Sequence, residues 1–519
     1  MGILRAAALA ALFISGLLVP ALAQDVTLTS RDGEVSVSGT LLSFDGEYYR
    51  IDSTYGTLTL DGTGVTCAGI GCPNLESYVA EFSIVGARSM GEVLMPALIE
   101  MFAEQSSMRL RRIIQSDTQY TYVLRQAKTG KDVARIAFTM SNTDTGFAAM
   151  LADGADMVLA TREITAAEVK AAYKAGLGDM KRAARSRIVA LDGLVPVVAQ
   201  SNPVAGISLS GLAGVFAGNV TNWQDIGGPD APIYLHMLSP RSGMAQQFIT
   251  DVMTPKALDT AASITRHSTA AAVVDAVAAD PFAIGITRFS EVGNAKILAL
   301  RGACGMAFRA SPRALKTEDY PLATPLFLYT PARRLPKIAR EFLSFLRTPA
   351  SQRMVRYVGF VDQNVWEIDI EEQGKRLANA IASAGEETRL AELQRMVETL
   401  RPASRLTITF RFNAGSSALD AQSRANVVLL ARLLEAGTYD GRELMFVGFS
   451  DGMGDAGVNR VIAQRRAKTV RAAVTLAATT MKSDHVTLST KAFGEALPMA
   501  CDDTEWGRQV NRRVEVWLK

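Results

Sequence analysis

The chain has 519 residues, of which 48% are hydrophobic and 21% charged, and its formal net charge is +3. This composition is typical of a packed globular protein and excludes an intrinsically disordered chain. The small, dispersed charge also argues against a nucleic-acid partner, because nucleic-acid-binding proteins carry clustered basic surface. A chain of this length predicts about two to four domains.

Residues 1–23 have the pattern of a secretory signal peptide. Arg5 precedes an apolar run over 6–19, and Ala21-Leu22-Ala23 offers small residues for cleavage. The apolar run is too short to span a bilayer as a helix. We therefore expect an exported, soluble mature chain that begins at Gln24.

The chain contains four cysteines, Cys67, Cys72, Cys304 and Cys501. Exported proteins favour disulfides, and the first two cysteines are close enough in sequence to close a small loop. The remaining two would then bridge distant parts of the chain. Three pairings are possible in principle, and two free buried thiols are the alternative to the long-range bridge.

Residues 24–76 predict a small β-rich domain. Short alternating runs are separated by Asp32-Gly33, Asp45-Gly46 and Asp61-Gly62. An Asp-Gly pair between alternating strands is typical of a hairpin, because glycine accepts positive φ. We interpret this region as a β-meander that packs on the next domain.

Residues 77–363 alternate strand-like apolar runs with helical stretches, which predicts an α/β domain with its site where strands end and helices begin. Three such junctions carry small hydroxyl residues and could present backbone N–H groups to an anion. The alternative is that each hydroxyl only caps its helix. The candidate anion-binding residues at these junctions are Ser89, Ser141, Thr143, Arg241, Ser242 and Gly243.

Motifs along this region keep a definite order and spacing, at 190–199, 202–204, 212–216, 218–223, 226–229, 283–286, 320–322 and 326–330. Together they resemble the periplasmic phosphate-binding protein family of ABC importers. The resemblance implies a two-lobed type II periplasmic-binding fold, a phosphate-like ligand and an ABC transporter or another envelope protein as partner. The family's Ser-Gly-Thr is Ser242-Gly243-Met244 here, and Leu238 replaces its arginine. Arg162 falls near the family's acidic acceptor position, so phosphate, another oxyanion or a lobe without tight binding all remain open.

Residues 364–404 are charged and helical, with apolar residues on a roughly heptad face at 377, 381, 390, 393, 396, 397 and 400. We interpret this segment as a packed helical connector that ends at Pro402. Residues 405–519 then predict a compact α+β domain.

Motifs at 412–419, 448–454, 493–495 and 511–514 carry a second resemblance, to the OmpA-like peptidoglycan-binding domain. Asp451 and Arg466 form a two-charge clamp that could hold the ammonium and carboxylate groups of diaminopimelate in a peptidoglycan stem. Asn459 could orient the loop or donate to the ligand, and Arg513 could support either. The alternative is a loop-capping carboxylate and a solvated helix arginine.

Three histidines without metal-ligand spacing, and no recognisable nucleophile or phosphate-loop motif, argue against an enzyme and against a cofactor or metal. The expected fold class is multidomain: a β-meander, a two-lobed α/β periplasmic-binding domain and an α+β OmpA-like domain. The expected function is periplasmic, peptidoglycan-associated solute binding, with the outer membrane nearby. The alternative is a structural linker between envelope and peptidoglycan whose central domain contacts proteins.

Overall fold

The computed structural model describes residues 25–75, 77–382, 384, 388–413, 416–482 and 484–519. The expected signal peptide lies outside these residues. The described chain has a strand-rich N-terminal unit, a central α/β unit with a curled sheet and a C-terminal α+β unit. The predicted multidomain fold class is therefore confirmed.

The N-terminal unit is one antiparallel sheet in the order β4-β3-β2-β1-β5. Its first four strands form the predicted meander, and the fifth returns to pair with the first. The short last strand and the segment after it are joined by the Cys67–Cys72 disulfide. The strands are β1 Asp25–Ser30, β2 Ser36–Phe44, β3 Tyr48–Ser53, β4 Gly56–Asp61 and β5 Val65–Ala68.

The central unit contains fourteen strands and nine α-helices within the described residues. The strands are β6 Ala80–Ala87, β7 Met108–Ser116, β8 Gln119–Gln126, β9 Asp132–Ser141, β10 Met157–Ala160, β11 Ser186–Val198, β12 Gly206–Ser208, β13 Tyr234–Leu238, β14 Thr265–His267, β15 Ala283–Arg288, β16 Lys296–Ile297, β17 Ala299–Arg301, β18 Ala307–Phe308 and β19 Ala323–Tyr329. The helices are α1 Met95–Gln105, α2 Thr143–Leu151, α3 Ala166–Lys174, α4 Leu209–Phe216, α5 Gly243–Phe248, α6 Ala270–Ala279, α7 Pro312–Lys316, α8 Lys337–Phe345 and α9 Pro349–Tyr357.

One long sheet runs through both lobes of the central unit, in the order β14-β13-β15-β11-β19-β10-β6-β9-β8-β7. Strand β11 joins the lobes, because its first half pairs with β19 and its second half with β15. Its side chains from Ile188 to Val198 are buried. Burial on both faces explains why this strand reads as a continuous apolar run rather than an alternating one.

The C-terminal unit is a five-stranded sheet in the order β20-β21-β24-β22-β23. Its strands are β20 Glu367–Ile368, β21 Ser404–Arg411, β22 Glu443–Gly448, β23 Thr487–Ala492 and β24 Arg513–Leu518, and its helices are α10 Gly374–Ala382, α11 Leu390–Leu400, α12 Ala421–Glu435, α13 Ala456–Ala477 and α14 Glu505–Asn511.

The segment expected to be a connector packs against the C-terminal sheet. Leu393, Met396 and Leu400 of α11 share an apolar cluster with Trp517 and its neighbours. Three members of the proposed heptad face do not join it: Ile381 and Leu390 are mostly exposed, and Val397 is partly exposed.

The central and C-terminal units are joined covalently and by packed polar contacts. Cys304, between β17 and β18, forms a disulfide with Cys501, just before α14. Arg405 of β21 donates to Asp319 of the central unit at 2.8 Å. Trp506 packs edge-on against Phe308, with ring centroids 5.3 Å apart. The described residues therefore form a continuous body across this boundary.

Candidate functional site

A cleft of about 360 Å³ lies between the two lobes of the central unit. In the first lobe, β6 runs parallel to β9 and to β10, and in the second lobe β13 runs parallel to β14 and to β15. The carboxyl ends of parallel strands meet at one edge of a sheet, so the turns after these strands surround the cleft.

Several of the predicted anion-binding residues line this cleft: Ser89, Ser141, Arg241, Ser242 and Gly243. Ser242 is also a helix cap, because its hydroxyl accepts from the backbone N–H of Ala245 at 3.1 Å. Ser89 makes no side-chain cap bond at the helical segment that follows it. Ser242 therefore fits the interpretation of these hydroxyls as helix caps, whereas the Ser89 side chain is not used as a cap.

The position of two predicted residues contradicts their assignment to the cleft. Thr143 is buried beside the cleft, where its hydroxyl accepts from the backbone N–H of Thr161 at 3.0 Å. Arg162 binds Glu168 of α3 and Asp144 instead, and the paired carboxylates raise its pKa. The physical reason is the nearby acidic cap of α3, which holds the guanidinium away from the space between the lobes.

The buried arginine of the cleft is Arg288, at the end of β15, which the sequence reasoning missed. Its side chain is 1% exposed and lines the cleft. Nη2 donates to Oε1 of Gln247 at 3.3 Å, while Nε and Nη1 have no hydrogen-bond partner among the described residues. A buried guanidinium with unused donors is costly unless a ligand satisfies it. The available signal was a lone charge that ends the apolar run 283–287.

Carboxyl groups surround this arginine without forming an ion pair to it. Glu291 lines the cleft, and burial raises its pKa to about 7, opposed by the charge of Arg288. Asp192 is fully buried beneath the cleft and accepts from the hydroxyl of Ser290 at 2.7 Å. Burial raises its pKa, again opposed by Arg288. The cleft therefore combines the buried guanidinium of Arg288 with a carboxyl whose pKa burial raises to about 7.

The second candidate site lies on the C-terminal unit, where the structure places the predicted clamp. Asp451 follows β22 and forms an ion pair with Nη1 of Arg512 at 2.8 Å. Arg466 of α13 is half-buried and forms no ion pair with a described residue; its guanidinium lies 5.4 Å from the ring centroid of Phe412. Burial and the neighbouring Arg512 lower the pKa of Arg466, and Asp451 opposes that shift.

Arg513 does not belong to this surface, contrary to the prediction. Its side chain is fully buried, donates to Glu515 at 2.7 Å and lies over the ring of Phe449. Because Arg513 begins β24, its side chain points into the unit, whereas Arg512 in the preceding turn reaches Asp451. Of the two adjacent arginines, Arg512 is therefore the one that contacts the predicted clamp, whereas the sequence reasoning had chosen Arg513.

Asn459 holds the loop that carries Asp451. Its buried side-chain amide donates to the carbonyl of Met453 at 3.2 Å and to Glu495 at 3.1 Å. These bonds support the orienting role considered for it and leave its amide N–H groups occupied. A larger cavity of about 790 Å³ is lined in part by Gly452 of this loop and by Cys501, and it includes neither clamp residue.

Among the described ranges, no group of His, Cys, Asp and Glu is arranged to hold a metal ion. Within those same ranges, no helix has the length and apolar character needed to cross a membrane.

Family models match two parts of the chain. Residues 108–349 match the PBP superfamily domain, and residues 411–512 match the OmpA family. Both resemblances are confirmed. The PBP-superfamily region carries β13, β15 and the cleft arginine, and the OmpA-family region carries Asp451 and Arg466.

Two curated relatives align with the PBP-superfamily region. Protein SphX of Synechococcus elongatus is 29% identical over 246 residues, which cover 45% of this chain and 70% of that protein. The phosphate-binding protein PstS of Bacillus subtilis is 28% identical over 187 residues, which cover 35% of this chain and 60% of that protein.

Solved structures resemble each region. An ABC-type phosphate transport receptor from Vibrio cholerae is 18% identical, covering 54% of this chain and 99% of its own, with a TM-score of 0.42. The peptidoglycan-associated lipoprotein from Burkholderia pseudomallei is 22% identical, covering 21% of this chain and 89% of its own, with a TM-score of 0.19.

Proposed function

We propose that this protein is an exported solute-binding protein that takes a phosphate-class oxyanion between its central lobes and is tethered to peptidoglycan by its OmpA-family region. The observation that carries the proposal is the buried guanidinium of Arg288, which faces the cleft with two nitrogen atoms lacking a partner. An oxyanion placed against this guanidinium would accept from its unused N–H groups. The phosphate-binding relative supports phosphate as the ligand.

The remaining cleft residues would complete the coordination of such an anion. Hydroxyl groups of Ser89 and Ser141 face the same space from the first lobe, and Arg241 and Gly243 face it from the second. Because these donors come from both lobes, an anion bound by all of them would favour the closed arrangement of the two lobes.

Titration calorimetry of the mature chain with phosphate, sulfate and arsenate tests the cleft. Arg288→Gln should weaken the affinity for the preferred anion at least about tenfold, as expected for one charged hydrogen-bond donor. Arg162→Gln is the matched control, because it removes an arginine that lies outside the cleft. Equal losses in the two variants, or undiminished affinity in Arg288→Gln, would count against this site.

For the OmpA-family region, the proposed ligand group is the zwitterionic end of diaminopimelate. Its ammonium would bind Asp451, and its carboxylate would bind Arg466, whose guanidinium has no competing carboxylate among the described residues. The ion pair from Arg512 holds the side chain of Asp451 in place. Two such contacts contribute a few kcal/mol, at about 1.5–3 kcal/mol each. The repeated stems of the polymer would add avidity.

Co-sedimentation with purified peptidoglycan tests the tether. Asp451→Ala and Arg466→Ala should each leave the protein in the supernatant. Arg465→Ala is the control, since that arginine is exposed on the same helix one position away. Unchanged pelleting of the first two variants would remove the assignment.

The localisation that follows is periplasmic and peptidoglycan-associated, with an ABC transporter or envelope protein as the partner that would receive the anion. The competing function is a structural linker between envelope and peptidoglycan. Calorimetry separates the two: a chain that pellets with peptidoglycan but takes up no anion would be the linker.

A further inference from the structure

A second positively charged cavity, of about 130 Å³, lies at the junction of the central and C-terminal units. Three arginines from separate elements line it: Arg187 of β11, Arg347 after α8 and Arg432 of α12. The first two belong to the central unit and the third to the OmpA-family region. This cavity is distinct from the cleft and from the clamp, with which it shares no lining residue.

None of the three guanidinium groups forms an ion pair with any residue in the described ranges. Arg187 donates weakly from Nη1 to the hydroxyl of Thr330 at 3.3 Å, and its buried Nε has no partner. The charge of Glu435 opposes the lowering of the pKa of Arg432 by burial. The carboxylate of Glu435 accepts a hydrogen bond from the backbone N–H of Thr480. Three cations therefore share one cavity without a balancing carboxylate.

The charges act on one another. Burial lowers the pKa of Arg187 to about 10, and Arg347, Arg185 and Arg432 add to that shift. Burial and the charge of Arg432 likewise lower the pKa of Arg347. Like charges gathered in a partly desolvated space repel, and a multiply charged anion between them would convert the repulsion into attraction.

The size of the cavity limits what could fill it. A cavity of about 130 Å³ has room for a tetrahedral oxyanion. Planar guanidinium forks also match the oxygen pairs of such an anion.

We propose that this three-arginine cavity is a second anion site, which binds one small multiply charged oxyanion and thereby links the central unit to the OmpA-family region. The bound ion contacts Arg187 and Arg347 on one side and Arg432 on the other. It acts as an ionic cross-link between the two units, in addition to the covalent Cys304–Cys501 disulfide.

Two measurements on the mature chain test this site. Selenate diffused into crystals should give an anomalous peak among the three guanidinium groups. Sulfate titration is carried out by calorimetry on an Arg288→Ala background, so that binding in the cleft does not mask the second site. Arg347→Gln and Arg432→Gln should each weaken sulfate binding at least about tenfold. Both residues are exposed, so the fold should persist after the replacements.

Arg353→Gln is the matched control, because this exposed arginine of α9 does not line the cavity. Its sulfate affinity should equal that of the background. The thermal midpoint should rise with sulfate in the background and the control, and much less in the two cavity variants. No selenate peak at the cavity, or the same sulfate affinity in the cavity variants and the control, would overturn the proposal.

Discussion

Replacing Cys304 and Cys501 together with alanine should destabilise the chain far more than replacing Cys67 and Cys72 together. The Cys304–Cys501 disulfide closes a sequence separation of 197 residues, and the Cys67–Cys72 disulfide closes a separation of 5. A disulfide stabilises a protein mainly by restricting its unfolded chain, and the restriction grows with the logarithm of loop length. The long-range bridge therefore restricts the unfolded chain over a separation of 197 residues.

The loop lengths set the size of the effect. The chain-entropy relation assigns about 5 kcal/mol to the long loop and about 2 kcal/mol to the short one. The difference between the two double variants should then be about 3 kcal/mol in the free energy of unfolding.

Urea denaturation followed by tryptophan fluorescence measures the difference. Trp223 reports on the central unit and Trp517 on the C-terminal unit, and both are fully buried in the native state. The wild-type chain with and without a reducing agent provides a second comparison that involves no substitution. A loss in the long-loop variant that equals or falls below the loss in the short-loop variant would refute the argument from loop length.

Three further predictions concern titratable groups. Glu291→Gln should flatten the pH dependence of sulfate affinity in the cleft. In the wild type that affinity falls as pH rises through about 7, the pKa of Glu291, because the carboxyl ionises beside the anion; calorimetry from pH 5.5 to 8.5 would show the fall. Glu515→Gln should lower the free energy of unfolding by about 3–5 kcal/mol, because Arg376, Arg405 and Arg513 would face a neutral amide; urea denaturation measures this, and a loss below about 1 kcal/mol would contradict it. The half-buried pair of His236 and His267, whose ring nitrogens are 2.9 Å apart, should make the second lobe less stable as pH falls through about 6.5. Partial burial and His267 lower the pKa of His236, so the unfolded chain binds the extra proton first. Thermal midpoints of the wild type and His236→Asn at pH 5.5 and 7.5 would test this.

Local patterns were enough to predict much of the architecture. The Asp-Gly pairs mark turns of the N-terminal sheet, and strands and helices alternate over 77–363 as the sequence predicts. Such features depend on residues a few positions apart, so the chain itself carries the information. The motif that includes Asp451 and Arg466 likewise predicted a strand, a loop and a helix, which are β22, the loop after it and α13, while the clamp itself stays a prediction.

The fold alone decided which charges face a ligand and which are buried. Arg162 and Arg288 each stand at the end of a strand in the sequence, yet the acidic cap of α3 binds one and the other lies unpaired in the cleft. Arg512 and Arg513 are neighbours with opposite environments, because the start of β24 turns the second inward. The cavity lined by Arg187, Arg347 and Arg432 exists only because two units pack together. Sequence spacing determines the local conformation, whereas the partner of a long charged side chain is set by distant segments that arrive only on folding.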